Sequence, residues 1–234
     1  MKPTTNLGPL QIGEMPYVVG TITSAALLKT FTSQGKEFCD IAEIRLDQVG
    51  KDGDWLSHGR EIEASGTPVI LTTRVRSEGG QWPDDDKSRL YVIRETLQHL
   101  AAVDVEFKSN LMTQVCAEAK AQKKAVIVSF HDFEKTPAFA ELRTIATNAA
   151  KHGTIVKIST MVKTNDDLAI LQKLLGCEWD VPLCVIGMGA FGTKTRVTFP
   201  ALGSCLTYGY LDAPSAPGQL SAEMLTEQLR AISN

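Results

Sequence analysis

Ala125-Val-Ile-Val-Ser-Phe-His-Asp-Phe-Glu-Lys-Thr-Pro137 is followed, one helix-length later, by Thr154-Ile-Val-Lys-Ile-Ser159. Each stretch opens on a run rich in Val and Ile, the composition of a buried strand. The first breaks at Thr136-Pro137, where a threonine cap ahead of proline predicts a helix over residues 138–151, closed by Gly153. A strand–helix–strand unit lays its strands parallel and usually adjacent, roughly 5 Å apart. His131 and Lys157 both fall where a strand is expected to give way to its loop, so an imidazole and an amine share one end of one sheet. A lysine in such a run most often snorkels its amine out to water. Kept from water, an amine favours its neutral form, which is a nucleophile and the starting point for imine formation with a carbonyl. An amine nucleophile and a general base within reach of one substrate make a reaction site.

The same alternation recurs along the chain. Strands are expected at residues 17–22, 39–46, 67–72, 103–107, 125–130, 154–158, 182–186 and 204–208. Helices are expected at 24–33, 55–64, 87–100, 110–123, 138–151, 164–175 and 222–232, with a short, weak crossover after Gly192. Eight strands separated by crossovers predict a closed parallel α/β barrel, the (β/α)8 or TIM barrel. Turn residues in Gly8-Pro-Leu-Gln-Ile-Gly-Glu14 predict a small N-terminal β-hairpin. No linker, repeat or low-complexity tract divides the chain, so residues 1–234 are read as one domain.

Active-site residues of such a barrel come from the C-terminal ends of its strands. Polar residues there are Glu43, Arg45 and Asp47; Arg74, Arg76 and Glu78; Asp104 and Glu106; His131; Lys157; Arg196, which follows the apolar Met188; and Ser215 with Gln219. Charges gathered around one axis are costly unless they serve a polar ligand. Gly187-Met-Gly-Ala-Phe-Gly192 matches a dinucleotide fingerprint, but too little chain follows for the βα units that such a fold needs. Those glycines are expected instead to let a loop approach a small anion near Arg196.

The chain has 234 residues, 43% hydrophobic and 22% charged, with net charge −3. That profile gives ample core and no electrostatic footprint for nucleic acid or an anionic membrane. No apolar run is long enough to span a bilayer, and the first residues lack a signal-peptide core. Cys39, Cys116, Cys177, Cys184 and Cys205 lack paired-ligand spacing and are expected as reduced thiols in a cytoplasmic protein. His58, His99, His131 and His152 form no metal-ligand pattern, and no metal or organic cofactor is expected.

The motifs together resemble type I 3-dehydroquinate dehydratase. The resemblance rests on Glu43-Ile-Arg-Leu-Asp47, Thr73-Arg-Val-Arg-Ser-Glu-Gly-Gly80, Val103-Asp-Val-Glu106 and Ser129-Phe-His-Asp-Phe-Glu-Lys-Thr-Pro137. It continues through Val156-Lys-Ile158, Met188-Gly189 as far as Arg196, and Ser215-Ala-Pro-Gly-Gln219. It implies an eight-stranded barrel, an imine between Lys157 and the substrate ketone, His131 as base and then acid, and Glu78 orienting His131. It further implies that Arg196, Ser215 and Gln219 hold the substrate carboxylate and a neighbouring hydroxyl. Glu43, Arg45 and Arg74 would grip ring hydroxyls, and Met188 and Tyr208 would form an apolar wall. Ile186 and Tyr208 depart from the methionine and phenylalanine frequent in that family, and a homodimer is implied. Glu43 and Arg45 could also be a structural ion pair at the barrel mouth.

The expected reaction is dehydration of 3-dehydroquinate to 3-dehydroshikimate. Residues 212–219 are expected to close over the substrate. The alternatives are a Schiff-base aldolase or lyase acting on another small carbonyl compound, and a catalytically dead barrel used for binding.

Overall fold

The structure is a computed structural model and describes residues 2–31, 35–83, 85–214 and 218–233. A hairpin of β1 (Thr5–Leu7) and β2 (Leu10–Ile12) comes first. Then follow β3 (Tyr17–Ile22), α1 (Ala25–Thr30), α2 (Gly35–Phe38), β4 (Ile41–Arg45), α3 (Leu46–Val49), α4 (Trp55–Ala64), β5 (Val69–Thr72) and α5 (Asp86–His99). The chain continues as β6 (Ala102–Glu106), α6 (Met112–Ala121), β7 (Ala125–Asp132), α7 (Phe139–Ala150), β8 (Ile155–Met161) and α8 (Asn165–Leu175). It ends with β9 (Leu183–Met188), α9 (Thr195–Ala201), β10 (Leu206–Tyr210) and α10 (Ala222–Ser233). The eight strands after the hairpin form one parallel sheet in the order β10-β3-β4-β5-β6-β7-β8-β9. The sheet curls into a nearly closed barrel. Its seam is held by Cys205 N donating to Leu183 O (2.9 Å) and Val185 N to the Ser204 hydroxyl (2.9 Å).

Alternation along each strand sorts side chains between two cores. On β7, Val126, Val128 and Phe130 pack outward against helices, while Ala125 and Ile127 point to the axis. On β8, Val156 and Ile158 face out and Ile155 faces in. The inward layer of Val19, Ile41, Ile70, Ala102, Ile127, Ile155, Cys184 and Leu206 is apolar and buried. Two residues further along the same strands the inward positions are Thr21, Glu43, Thr72, Asp104, Ser129, Lys157, Ile186 and Tyr208. The barrel therefore changes from an apolar floor to a polar cup within one pleat. Leu7 and Ile12 of the hairpin are fully buried in the apolar layer and plug its N-terminal end. Burying both contributes roughly 3–6 kcal/mol. Gly8 makes the hairpin turn at φ +57°, where a Cβ would lie 2.9 Å from Pro68.

Two local expectations are corrected. Lys157 does not sit where its strand gives way to a loop but inside β8, whereas His131 is one residue short of the end of β7. The ladder between β7 and β8 continues to Asp132↔Thr160, and that between β8 and β9 to Met161↔Met188, because backbone pairing outlasts the apolar run. Thr136 does not cap α7. Ala138 takes that place with no side-chain cap, and the Thr136 hydroxyl lies 3.0 Å from Thr160 Oγ1 and donates to Met161 O at 2.9 Å, tying the loop to β8. Thr164 does cap its helix, in a reciprocal box with Asp167.

Candidate active site

Period-two geometry aims Lys157 into the cup, where it is 6% exposed. It lies opposite Ser129 on β7 and Cys184 on β9. Its Nζ sits 4.0 Å from the centre of the Tyr208 ring and 3.6 Å from Asp104 Oδ2. His131 is one inward position nearer the mouth, opposite Ser159.

The His131 imidazole is held from behind. Its Nδ1 is 3.0 Å from Glu78 Oε2, and Phe133 stacks beside the ring at a centroid distance of 6.0 Å. Glu78 ends a short 3-10 turn, Arg76–Glu78, after β5. Gly79 closes that turn at φ +76°, and a Cβ there would come within 2.5 Å of the Phe133 ring. Burial, then the charges of Arg74, Lys157 and Arg45, pushes His131 well below its ordinary value, so the imidazole is neutral at neutral pH. Burial pushes Glu78 up to about 7, with Arg74 opposing.

Behind Lys157 runs a buried ionic chain. Asp104 Oδ1 accepts from Arg74 Nη2 and from the Ser129 hydroxyl, both at 2.7 Å. Arg74 Nη1 reaches Ser129 Oγ (2.8 Å) and Glu106 Oε1 (3.1 Å), and Arg89 pairs with the other Glu106 oxygen. Burial opposes the Arg74 charge, but Asp104 and Glu106 outweigh it and raise its pKa. Removing one member of such a buried set typically costs about 3–5 kcal/mol. Glu43 and Arg45 do not pair with each other: Glu43 accepts from Thr72 (2.7 Å), and Arg45 forks onto Asp47 (2.9 and 2.8 Å).

Across the cup, Arg196 of α9 is 4% exposed. Its Nη1 donates to Tyr208 O (2.8 Å) and its Nε to Gly218 O (3.1 Å). Among the described residues no carboxylate lies within ion-pair distance of it. Burial lowers its pKa to about 10. A buried guanidinium held only by carbonyls is arranged to receive an anion. Gln219 donates to Thr21 Oγ1 (3.1 Å), which donates to Gly209 O (2.6 Å). Arg196→Lys is expected to raise KM at least tenfold with little change in Tm, because lysine keeps the charge and loses the planar fork. Steady-state kinetics beside a thermal melt checks this; a collapsed Tm with unchanged KM would make Arg196 structural.

One cavity is lined by Glu43, Arg45, Arg74, Glu78, His131 and Lys157. Ile186, Met188, Arg196, Tyr208 and Gln219 also line it. Ser215 lies outside the described residues, as do 216 and 217 of the segment expected to close. Thr21, Gly79, Phe133 and Ser159 also line the cavity and are absent from the expected set. Thr21 and Ser159 could have been found by counting in twos along their strands. Phe133 is placed by Gly79, which no sequence period reveals.

The glycines of residues 187–192 allow the chain to pack closely on itself. A Cβ at Gly192 would lie 2.4 Å from the Gly187 carbonyl carbon, and Thr195 Oγ1 receives the Gly187 N–H at 2.9 Å. None of the five cysteines forms a disulfide, and among the described residues no His/Cys/Asp/Glu group could hold a metal ion. Among the described residues no helix is long and apolar enough to cross a membrane.

Fold and cavity together define a barrel enzyme whose buried amine, imidazole–carboxylate pair and unpaired guanidinium converge at the C-terminal mouth of the sheet. The type I 3-dehydroquinase family pattern matches residues 19–234. The 3-dehydroquinate dehydratase of Methanocella arvoryzae is 32% identical over 217 residues, covering 93% of this chain and 97% of its own. That of Methanothrix thermoacetophila is 36% identical over 203 residues, covering 84% and 83%. A solved type I 3-dehydroquinate dehydratase from Clostridium difficile, with covalent modified comenic acid, has the same fold at TM-score 0.89 and 24% identity, covering 99% of this chain and 98% of that one. The chain belongs to the type I 3-dehydroquinase family, and it is a dehydratase, a hydro-lyase.

Proposed function

We propose that this chain, as one catalytic domain, converts 3-dehydroquinate to 3-dehydroshikimate and water through an imine at Lys157. The observation that carries the reading is the meeting of Lys157 and the Glu78-backed His131 in one cavity. Nitrogen of Lys157 adds to the ketone, and the carbonyl oxygen leaves as water. The iminium withdraws electrons better than the ketone did, so the neighbouring C–H becomes acidic. His131 Nε2 takes that proton, and the hydroxyl on the next carbon leaves as water with the proton that His131 returns. Hydrolysis then frees Lys157 and the conjugated product.

Glu78 sets the tautomer. As a carboxylate it accepts Nδ1–H and leaves the Nε2 lone pair toward the substrate. Below about 7 it takes up its own proton and would donate to Nδ1, which moves the imidazole proton to Nε2 and removes the base. Arg196, Gln219 and Ser215 bind the substrate carboxylate and its neighbouring hydroxyl. Glu43 and Arg45 meet ring hydroxyls, and Arg74, with its guanidinium engaged by Asp104, Ser129 and Glu106, adds charge rather than a free fork. Met188, Ile186 and Tyr208 form the wall. A cytoplasmic homodimer is part of the same reading.

A Schiff-base aldolase would share the lysine, but Arg196, which has no carboxylate partner among the described residues, in one cavity with a histidine base suits a carboxylate-bearing β-hydroxy ketone. The test is borohydride reduction in the presence of 3-dehydroquinate or its product, followed by peptide mass spectrometry. A ligand adduct on Lys157 is expected. An adduct on another lysine, or none, would end the assignment.

A further inference from the structure

Asp104 faces Lys157 with a carboxylate oxygen that serves nothing else. Oδ1 is fixed by Arg74 and Ser129, both at 2.7 Å. Oδ2 is buried, accepts no hydrogen bond among the described residues, and lies 3.6 Å from Lys157 Nζ. Nζ is also covered by the Tyr208 ring face at 4.0 Å. We propose that Asp104 is the counter-ion of the Lys157 imine, a carboxylate that keeps the nitrogen in its protonated, electron-withdrawing form. The proposal rests on the Schiff-base reading above and adds to it the group that holds the charge.

The balance of the step asks for such a group. A lysine ammonium and a ketone become an iminium and one water: the N–C bond forms, the carbonyl oxygen leaves with two of the ammonium's protons, and one positive charge stays on nitrogen throughout. A fixed anion beside that nitrogen therefore has the same task before and after the bond forms. An imine that loses its remaining proton is neutral and no longer acidifies the adjacent C–H.

Other carboxylates around the cup are already engaged. On β4, Glu43 accepts from Thr72. After β5, Glu78 is bonded to His131. On β6, Glu106 is held by Arg74 and Arg89. The cations facing the site, Arg74 from beyond β5, Arg45 from β4 and Arg196 from α9, all oppose a second positive charge at Nζ. His131 on β7 is neutral, and Cys184 on β9, whose thiol burial pushes up to about 11, stays protonated. Tyr208 on β10 likewise stays protonated, its phenol held well above its ordinary value by burial. Among the described residues Asp104 is the carboxylate within ion-pair distance of Lys157 Nζ. Burial opposes its charge, yet Arg74, Lys157 and Ser129 outweigh burial and hold its carboxyl below the usual range. It thus remains an anion across neutral pH and acts as a counter-ion, not as a proton carrier.

The experiment compares wild type and Asp104→Asn by pH–rate profile and by the pH dependence of the borohydride-trapped Lys157 adduct. Asparagine keeps the shape and removes the charge. The alkaline limb of kcat and of trapping is expected to move down by at least one pH unit, with kcat at its optimum lowered at least tenfold and KM changed less. An unmoved limb in a folded Asp104→Asn overturns the proposal. Because Asp104 also anchors Arg74, a second measurement uses wild type alone. Nitrogen-15 NMR of lysine-labelled enzyme with 3-dehydroshikimate bound should show an iminium that stays protonated well above neutral pH. An imine that titrates in the neutral range overturns the proposal by itself. Absence of any Lys157 adduct in wild type would instead sink the Schiff-base reading beneath it.

Discussion

Lys157→Ala is expected to lower kcat by at least about four orders of magnitude, since it removes the electrophilic relay on which the proposed elimination depends. Neither Lys108 nor Lys163 lines the cavity, so no neighbouring amine can take over. The fold should survive. Asp104 keeps Arg74 and Ser129, and alanine at the centre of β8 leaves the ladder to Ser129 and Cys184 intact. Circular dichroism and a thermal melt establish that the variant is folded, and single-turnover kinetics measures the loss. Turnover within tenfold of wild type would refute the amine's role.

Replacing His131 with alanine separates bond formation at nitrogen from proton abstraction at carbon. The variant should still be reduced by borohydride onto Lys157, while kcat falls by about 10²–10⁴-fold, the span of a positioned acid–base. In wild type, burial and three nearby cations keep His131 unprotonated through neutral pH, so its own protonation lies on the acid side. The nearer limit on that side is Glu78, at about 7: activity should fall as pH drops through that value and be retained above it. The alanine variant should lose that dependence with its base. If trapping disappears along with turnover, His131 is needed for imine formation, and the two steps are not separable.

Much of this arrangement was readable from residue order. Strands rich in Val and Ile announce themselves, and their spacing gives the parallel barrel, so the end of the sheet at which His131 and Lys157 meet could be named. Where strands stop was less legible. The β7–β8 ladder runs through His131, Asp132 and Ser159; His131 and Ser159 are polar because they face the cavity and Asp132 because it turns the loop by accepting from Glu134 N and Lys135 N, so the apolar run ends before the strand does. Partner choice among charges was also hidden. Arg45 and Glu43 share an inward file two residues apart, yet Arg45 curls onto Asp47 and Glu43 crosses to Thr72. Such choices depend on side-chain reach across strands, which no period along one strand encodes. Phe133 entered the site for a similar reason: the bare backbone of Gly79 leaves room for its ring.

The hairpin stopper of Leu7 and Ile12 has a consequence for traffic. With an apolar floor beneath the cup, the reaction chamber is a blind alley and not a tunnel. On the proposed reaction, ketone, expelled water and product would all use one doorway, in turn. On the proposed mechanism, product still in the chamber would bar the next substrate, the two would compete for a single place, and the pace of departure through that doorway would limit how soon the amine could be used again.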